Sequence, residues 1–312
     1  MERERIVAFT MTTGRTKLNK RNVIMKSHWE AVRCKFCGEQ ERVVHFGYSK
    51  KGTQRYLCLN CKRTFIDNKA PERMRFSTDV IAAALHQFYE SSSLAKTQRH
   101  ILSIYGVKPD RMTIHRWVTR YSQKAAKVLG EVPVNVGSTW VADETVLKLK
   151  EGKGGSKVWF HDIIDSKTRF LLASHMSEGR STKDAQILME KAAKRAGKVP
   201  EVVITDKLAS YLDGIELAFG ADTKHIPAKM LTDKNWTQKI ERFHSTLKDR
   251  TKVMRSLARK STARIATDGW LSFYNFMRPH FALNDKTPAQ AAGAESPFKS
   301  WKDIVERGGK ET

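Results

Sequence analysis

The sequence predicts an α/β domain preceded by a small metal-stapled ribbon and a helical module. Three observations carry that expectation. Two C-x2-C pairs, Cys34/Cys37 and Cys58/Cys61, stand 20 residues apart near the amino terminus. Apolar residues then recur at helical spacing from Ser77 to Val128. From Ser138 the texture changes to short alternating runs broken by a helix. With 312 residues the chain has room for two or three domains, and 40% apolar residues can build a real core.

Lys and Arg number 57 and Asp and Glu 33, leaving a net charge of +24. Such a charge asks for a polyanion, because Lys and Arg replace the counterions condensed on phosphates. Nucleic acid is the expected partner; a merely soluble basic surface is the plain alternative. No run approaches the ~18 apolar residues of a membrane span, and the first residues hold no apolar stretch of the secretory kind. A cytoplasmic protein without a membrane partner is expected.

Residues 1–27 are basic and aperiodic. They read as a flexible arm or an over-extended start, with Met11 and Met25 as alternative starts. Residues 28–70 hold all four cysteines. Each C-x2-C turn presents two thiolates, so Cys34, Cys37, Cys58 and Cys61 suit one tetrahedral structural Zn²⁺ with no open position. Val43–Tyr48 and Gln54–Leu57 read as a hairpin around Lys50-Lys51-Gly52, which makes a zinc ribbon with too little core to fold alone. Two disulfides are the alternative, and they fit a basic intracellular chain poorly. His45 reads as hairpin surface. Arg42, Lys50, Lys51, Arg55, Lys62 and Arg63 give the ribbon a basic face.

Residues 74–130 read as three helices. Ser77 is placed to cap the first, whose stripe is Val80, Ile81, Ala84, Leu85 and Phe88. The second carries Leu94, Gln98, Ile101, Leu102 and Tyr105 and ends at Gly106. After Pro109-Asp110 the third carries Ile114, Trp117, Val118, Tyr121, Ala125 and Val128. The short turn between the last two, and a basic face on the third, suggest a helix-turn-helix; a plain helical bundle is the alternative. Its exposed positions are Arg111, Thr113, His115, Arg116, Arg120 and Lys124, expected to meet DNA bases and phosphates.

Residues 136–295 begin with a strand from Ser138 to Leu149, followed by a turn at Gly152–Gly155. Further strands span Lys157–Asp165 and Arg169–His175. Lys183–Lys194 is helical. Glu201–Asp206 is a fourth strand with its acid at the end, Leu208–Phe219 a helix, and Thr223–Met230 holds a short strand. A long helix from Trp236 carries Glu241. Three hairpin-linked strands, a helix, another strand and then helices is the order of an RNase H-like domain. Residues 296–312 read as a tail.

Asp143, Asp206 and Glu241 can converge at one edge of such a sheet. Their repulsion is relieved by Mg²⁺ or Mn²⁺, and two such ions about 4 Å apart clamp the attacking and leaving oxygens of a phosphoryl transfer. Each acid also has a plain reading: Asp206 as a helix cap, Glu241 as helix surface. Glu144 and Asp165 are rivals, although alternation puts Glu144 on the sheet face opposite Asp143. On the long helix Ile240, Phe243, Leu247 and Met254 form the buried stripe. Glu241, His244, Lys248 and Arg255 lie about 100° away, either lining a site and a phosphate backbone or forming a solvated face.

Trp140-Val-Ala-Asp143-Glu-Thr, Val203-Ile-Thr-Asp206-Lys and Ile240-Glu241-Arg-Phe-His244 with Lys248 and Arg250 together resemble the DDE transposases of IS6-type insertion sequences. The 34 residues between Asp206 and Glu241 match that family's spacing. Tyr274-Asn275-Phe-Met-Arg278-Pro279-His280 through Leu283, Thr287, Pro288 and Ala289 resembles the closing motif of integrase-core transposases. The likeness spans roughly residues 75–293, and the zinc ribbon is similar to that of ribbon-bearing relatives, some archaeal. The resemblance implies Asp143, Asp206 and Glu241 as the catalytic, metal-binding triad. It implies that His244, Lys248 and Arg250 support the DNA end or the transition state, and it leaves Glu144 and Asp165 outside the triad. It further implies binding of terminal inverted repeats, metal-dependent cleavage, 3′-OH strand transfer, a homodimer or higher oligomer, and a nucleoid-associated location. The rivals are a domesticated DNA-binding protein, an RNase H-like nuclease without strand transfer, and a zinc-ribbon transcription factor.

Overall fold

The computed structural model describes residues 32–307, apart from residue 51 and segments 68–69, 72–73, 151–155, 207, 229–233 and 255–259. The basic arm with Met11 and Met25, Lys51, the Gly152–Gly155 turn and Arg255 lie outside the described residues. The chain divides into two compact units, one up to Asp67 and one from Asn68.

The first unit is a three-stranded antiparallel sheet of β1 (Val43–Tyr48), β2 (Gln54–Cys58) and β3 (Thr64–Phe65). Its core is small: Cys34, Val43, Cys58 and Phe65 are buried, with Tyr56 stacked on Phe65 at 5.7 Å. The two cysteine turns have the same backbone. Gly38 N–H donates to Cys34 O at 2.8 Å and Lys62 N–H to Cys58 O at 2.9 Å. The donors sit at φ +79° and +59° respectively. The first turn has a glycine where the left-handed region demands one, and the second holds Lys62 there at some cost.

The second unit opens with α1 (Thr78–Tyr89), α2 (Leu94–Tyr105) and α3 (Arg111–Gly130). Ser77, Ser93 and Asp110 cap them by accepting N–H bonds from Val80, Lys96 and Met112, each cap being worth about 1 kcal/mol. The stripes expected for α1 and α3 are buried, Val128 only in part. On α2 the outcome differs. Thr97 and Ile101 are buried, whereas Leu102, Ile104 and Tyr105 are exposed, because α2 meets α1 and α3 along one narrow face.

A five-stranded sheet follows, built from β4 (Thr139–Leu149), β5 (Ser156–Asp165), β6 (Leu171–Ser177), β7 (Val202–Thr205) and β8 (Lys224–Pro227). Its order is β6-β5-β4-β7-β8. The first three strands are antiparallel, while β7 joins β4, and β8 joins β7, in parallel. Those parallel steps need crossovers, supplied by α4 (Thr182–Ala196) and α5 (Ala209–Phe219). This mixed α/β sheet has the RNase H-like order. Then come α6 (Lys234–Lys252), α7 (Lys260–Phe276), α8 (Pro288–Ala291) and α9 (Trp301–Glu306). Phe298, Trp301, Ile304 and Val305, within the segment read as a tail, are buried, and Trp301 stacks on Tyr89 at 5.0 Å.

Helices and sheet of this unit share one continuous core. At the crossing of α7 with α1 and α3, Gly269 lies so close to Tyr89 and Ser122 that a Cβ there would overlap both side chains. No described helix is long and apolar enough to cross a membrane.

Candidate active site

In the sheet, β7 pairs with β4 only from Thr139↔Val202 to Val141↔Ile204. Two residues further along each strand stand Asp143 and Asp206, so parallel register brings them to the same level and the same face. Asp206 Oδ1 also accepts the Leu208 N–H at 3.1 Å, so it caps the entry to α5 as well. Glu144 joins them: one oxygen each from Asp143, Glu144 and Asp206 lie within 4.8 Å of one another. Strand alternation predicted Glu144 on the far face, and the geometry corrects that. Beyond Val141 no strand among the described residues flanks β4 on the β7 side, so a long carboxylate side chain can round the open edge.

The Glu144 side chain is 4% exposed, and its Oε1 accepts from Arg180 at 3.2 Å. Arg180 lies over the Trp159 ring at 4.2 Å. Glu144 Oε2 is buried with no hydrogen-bond partner among the described residues. Burial raises the Glu144 carboxyl above its ordinary range, Asp206 and Asp143 raise it further, and Arg180 opposes them. Burial and the same acids, Glu144 first, hold the Tyr211 phenol protonated.

Asp143 stands directly opposite Asp162 of β5. Asp162 is fully buried; its Oδ1 accepts from Ser174 and its Oδ2 from His244 Nε2 at 3.1 Å. His244 Nδ1 lies 3.5 Å from Asp143 Oδ2. Burial acts against a charged imidazole, yet hydrogen bonds to Asp143 and Asp162 raise His244 to about 9. Burial pushes Asp162 upward while His244 pulls it down. With a carboxylate facing each ring nitrogen, the shared proton belongs on the imidazole, so His244 is an imidazolium that bridges two acids. Neither Asp162 nor Arg180 stood out in the sequence; a polar residue in the doubly covered run Phe160–Asp165 was the available signal.

Glu241 lies on α6 one turn before His244, or about 4.5 Å along the axis. It is exposed, and its carboxylate is not among the three clustered acids. Lys248 is exposed. Arg250 requires a correction as a DNA contact. It is 2% exposed, donates to Ser92 O at 3.0 Å and packs over Phe88 at 3.7 Å, so it clamps α6 to the α1–α2 junction. Burial lowers it to about 10. On α3, Arg111, Arg116 and Arg120 are exposed, while Thr113, His115 and Lys124 are half-buried. Asp165 is buried and held by the Gly137 and Thr168 N–H groups, a structural turn acid.

Donor chemistry tests what each cluster can hold. Three carboxylate groups with a buried, unpartnered oxygen, countered by one guanidinium and one shared imidazolium, fit a hard divalent cation. In the ribbon, Cys34 and Cys61 Sγ are 3.6 Å apart, as are Cys37 and Cys58 Sγ. That matches the ~3.8 Å edge of a tetrahedron with 2.3 Å Zn–S bonds and is far beyond a disulfide.

Residues 137–280 match the family model DDE_Tnp_IS240, a DDE domain. No curated protein matches the chain at a significant level. Among solved structures, the HTLV-2 integrase catalytic core domain in complex with magnesium, in trimeric form, aligns over 51% of this chain and 99% of its own at 16% identity, with a TM-score of 0.40. A simian T-cell lymphotropic virus intasome in complex with PP2A regulatory subunit B56 gamma aligns over 70% and 77% at 14% identity, with a TM-score of 0.41. The catalytic core domain of BIV integrase aligns over 50% and 93% at 12% identity, with a TM-score of 0.38. The family match, spanning Asp143, Asp206 and Glu241, carries the assignment: through residues 137–280 the chain holds the DDE domain of a transposase, and with it the chemistry class of a polynucleotidyl transferase.

Proposed function

We propose that the chain is a transposase that binds the terminal inverted repeats of an insertion sequence, cuts DNA at their ends and joins the freed 3′-OH to target DNA. The crowding of Asp143, Glu144 and Asp206 at the open edge of β4, inside the matched DDE segment, carries this reading. Asp143, Asp206 and Glu241 are the proposed ligands of two Mg²⁺ or Mn²⁺ ions. Glu241 is supported by its place one helical turn from His244, whose ring touches Asp143. Such ions, when bound, acidify water and neutralise charge on phosphoryl oxygens.

The protein's own residues position and balance charge. Asp162 holds His244, and His244 steadies the Asp143 carboxylate. Arg180 takes up one oxygen of Glu144. No serine or tyrosine is required as a nucleophile, so the reaction is one of positioning and electrostatics. Helices α2 and α3 serve as a helix-turn-helix reader through Arg111, Arg116 and Arg120, with the ribbon, holding Zn²⁺ on its four cysteines, adding basic surface. Bringing two DNA ends together implies at least a dimer, in a cytoplasmic, nucleoid-associated setting.

The test supplies full-length protein and Mg²⁺ with a labelled element end carrying a pre-cut 3′-OH and a target plasmid. Joined product, lost in Asp143→Asn, is expected. Cutting without joining would make the chain a nuclease, and binding without cutting a DNA-binding protein that has lost its chemistry.

A further inference from the structure

The loop after α7 carries an exposed aromatic beside several cationic side chains. Phe281 is 93% exposed, the highest exposure of any large apolar residue described. It sits on a single 3-10 turn, Phe281–Leu283, closed by a bridge between His280 and Lys286. Two backbone bonds, His280 N–H to Lys286 O and Asp285 N–H to His280 O, both 3.1 Å, pin the turn's base. Below it, His280 packs edge-on against buried Tyr274 at 4.7 Å. The turn is therefore a braced tip, and an aromatic held out in water on a braced tip gains nothing for the fold.

The surroundings supply charge. Arg278 ends α7. Arg169 occupies the β5–β6 turn at φ +59°, and Lys239 of α6 reaches the same turn, donating to Ser166 O at 2.9 Å. Arg242 follows Lys239 by one turn of α6. Burial and then the fields of Arg278, Arg169 and Arg242 hold His280 down to about 4, so all three guanidinium groups act on one imidazole. Among the described residues, no carboxylate forms an ion pair with Arg169, Arg242, Arg278 or Lys286. Gathering like charges is unfavourable in the free protein, and a polyanion reverses that sign.

We propose that this surface is a second nucleic-acid site, in which Arg169, Arg242, Arg278 and Lys286 follow a phosphodiester strand while Phe281 stacks on an unpaired base. A positive track beside an aromatic platform is what single-stranded nucleic acid binds, since every base offers a π-face. The inference rests on the reading that the chain acts on DNA, and it adds a preference for frayed or unpaired DNA that the carboxylate cluster and α3 do not supply.

The experiment measures binding by full-length protein, without added Mg²⁺, to a blunt duplex and to the same duplex with an unpaired end. Phe281→Ala should weaken binding to the unpaired end by roughly 5- to 100-fold and leave the blunt duplex within about 2-fold, because α3 contacts are untouched. Being exposed, Phe281 can be cut back without disturbing the core. The double variant Arg242→Gln/Arg278→Gln should reduce the salt dependence of binding to the unpaired end by about two counter-ions. Equal losses on both probes, an unchanged salt slope, or a change in oligomeric state of the free Phe281→Ala protein would overturn the inference; the last would make the tip a contact between copies of the chain. Failure of the unaltered protein to bind either DNA would instead overturn the transposase reading, and this inference with it.

Discussion

In the ribbon, four cysteine sulfurs stand as close as 3.6 Å around a core of four buried residues among those described. In the sheet, three carboxylates crowd within 4.8 Å at the rim of a body whose core runs from Val80 to Val305. Both clusters gather groups whose charged forms a cation would stabilise, but they stand in opposite relations to folding. The ribbon cannot hold its sulfurs together by burial, so on the proposed zinc reading folding and metal binding are one event. The larger body holds its acids against repulsion by packing, with His244 and Arg180 as partial counter-charge, and leaves donor capacity unused. Soft closed donors mark a structural centre and hard open ones a reactive centre.

Removing one thiolate gives the largest expected effect. Cys58→Ser should forfeit much of the roughly 10 kcal/mol that zinc binding contributes to small thiolate folds. Amide protection should vanish from Val43–Cys58 while the melting of the second unit is unchanged; retained protection would show that the ribbon folds without metal. Next, Asp206→Asn should lower metal-dependent cleavage by roughly a thousandfold, with the circular dichroism of the body intact. Activity within tenfold of the parent would remove the cluster from the reaction.

Asp162→Asn is smaller and sharper. It keeps the shape but removes the charge that holds His244 protonated. Mn²⁺ affinity, read by paramagnetic relaxation, should fall by roughly 10- to 100-fold, as for other supports of metal ligands. Unchanged affinity would reduce Asp162 to packing. The smallest effect concerns pH. His280 titrates near 4 in the folded chain and near 6.5 when unfolded. The unfolded state therefore binds the extra proton between those values, and stability is full above about 6.5 and declines as pH falls toward 4. His280→Asn should flatten that part of the melting-temperature profile; an identical profile would mean the ring is solvated.

Local features of the fold are legible in the sequence. Ser77 as a cap, Gly106 at a helix end with φ +64°, and the buried face Ala185, Leu188, Met189 and Ala192 of α4 follow from neighbours within a few positions. The order of strands followed too, because hairpins and crossovers leave few topologies. What escaped depends on contacts far apart in the chain. Glu144 appeared to face away from Asp143 because alternation says nothing of where a neighbouring strand stops. Arg250 looked like a phosphate contact because helical spacing cannot show that Phe88 and Ser92 wait on the inner side. Asp162 passed unnoticed since its meaning comes from His244, 82 positions later.

The close approach at Gly269 has a geometric consequence. With no side chain there, α7 seats against Tyr89 and Ser122 like a key in a slot, and Trp301 closes over Tyr89 from outside. The α1–α3 module is thus packed closely on α7 and α9 at this crossing. A bulkier residue at position 269 would have to push α7 off Tyr89 and Ser122, so the seating of this helix hangs on a missing side chain.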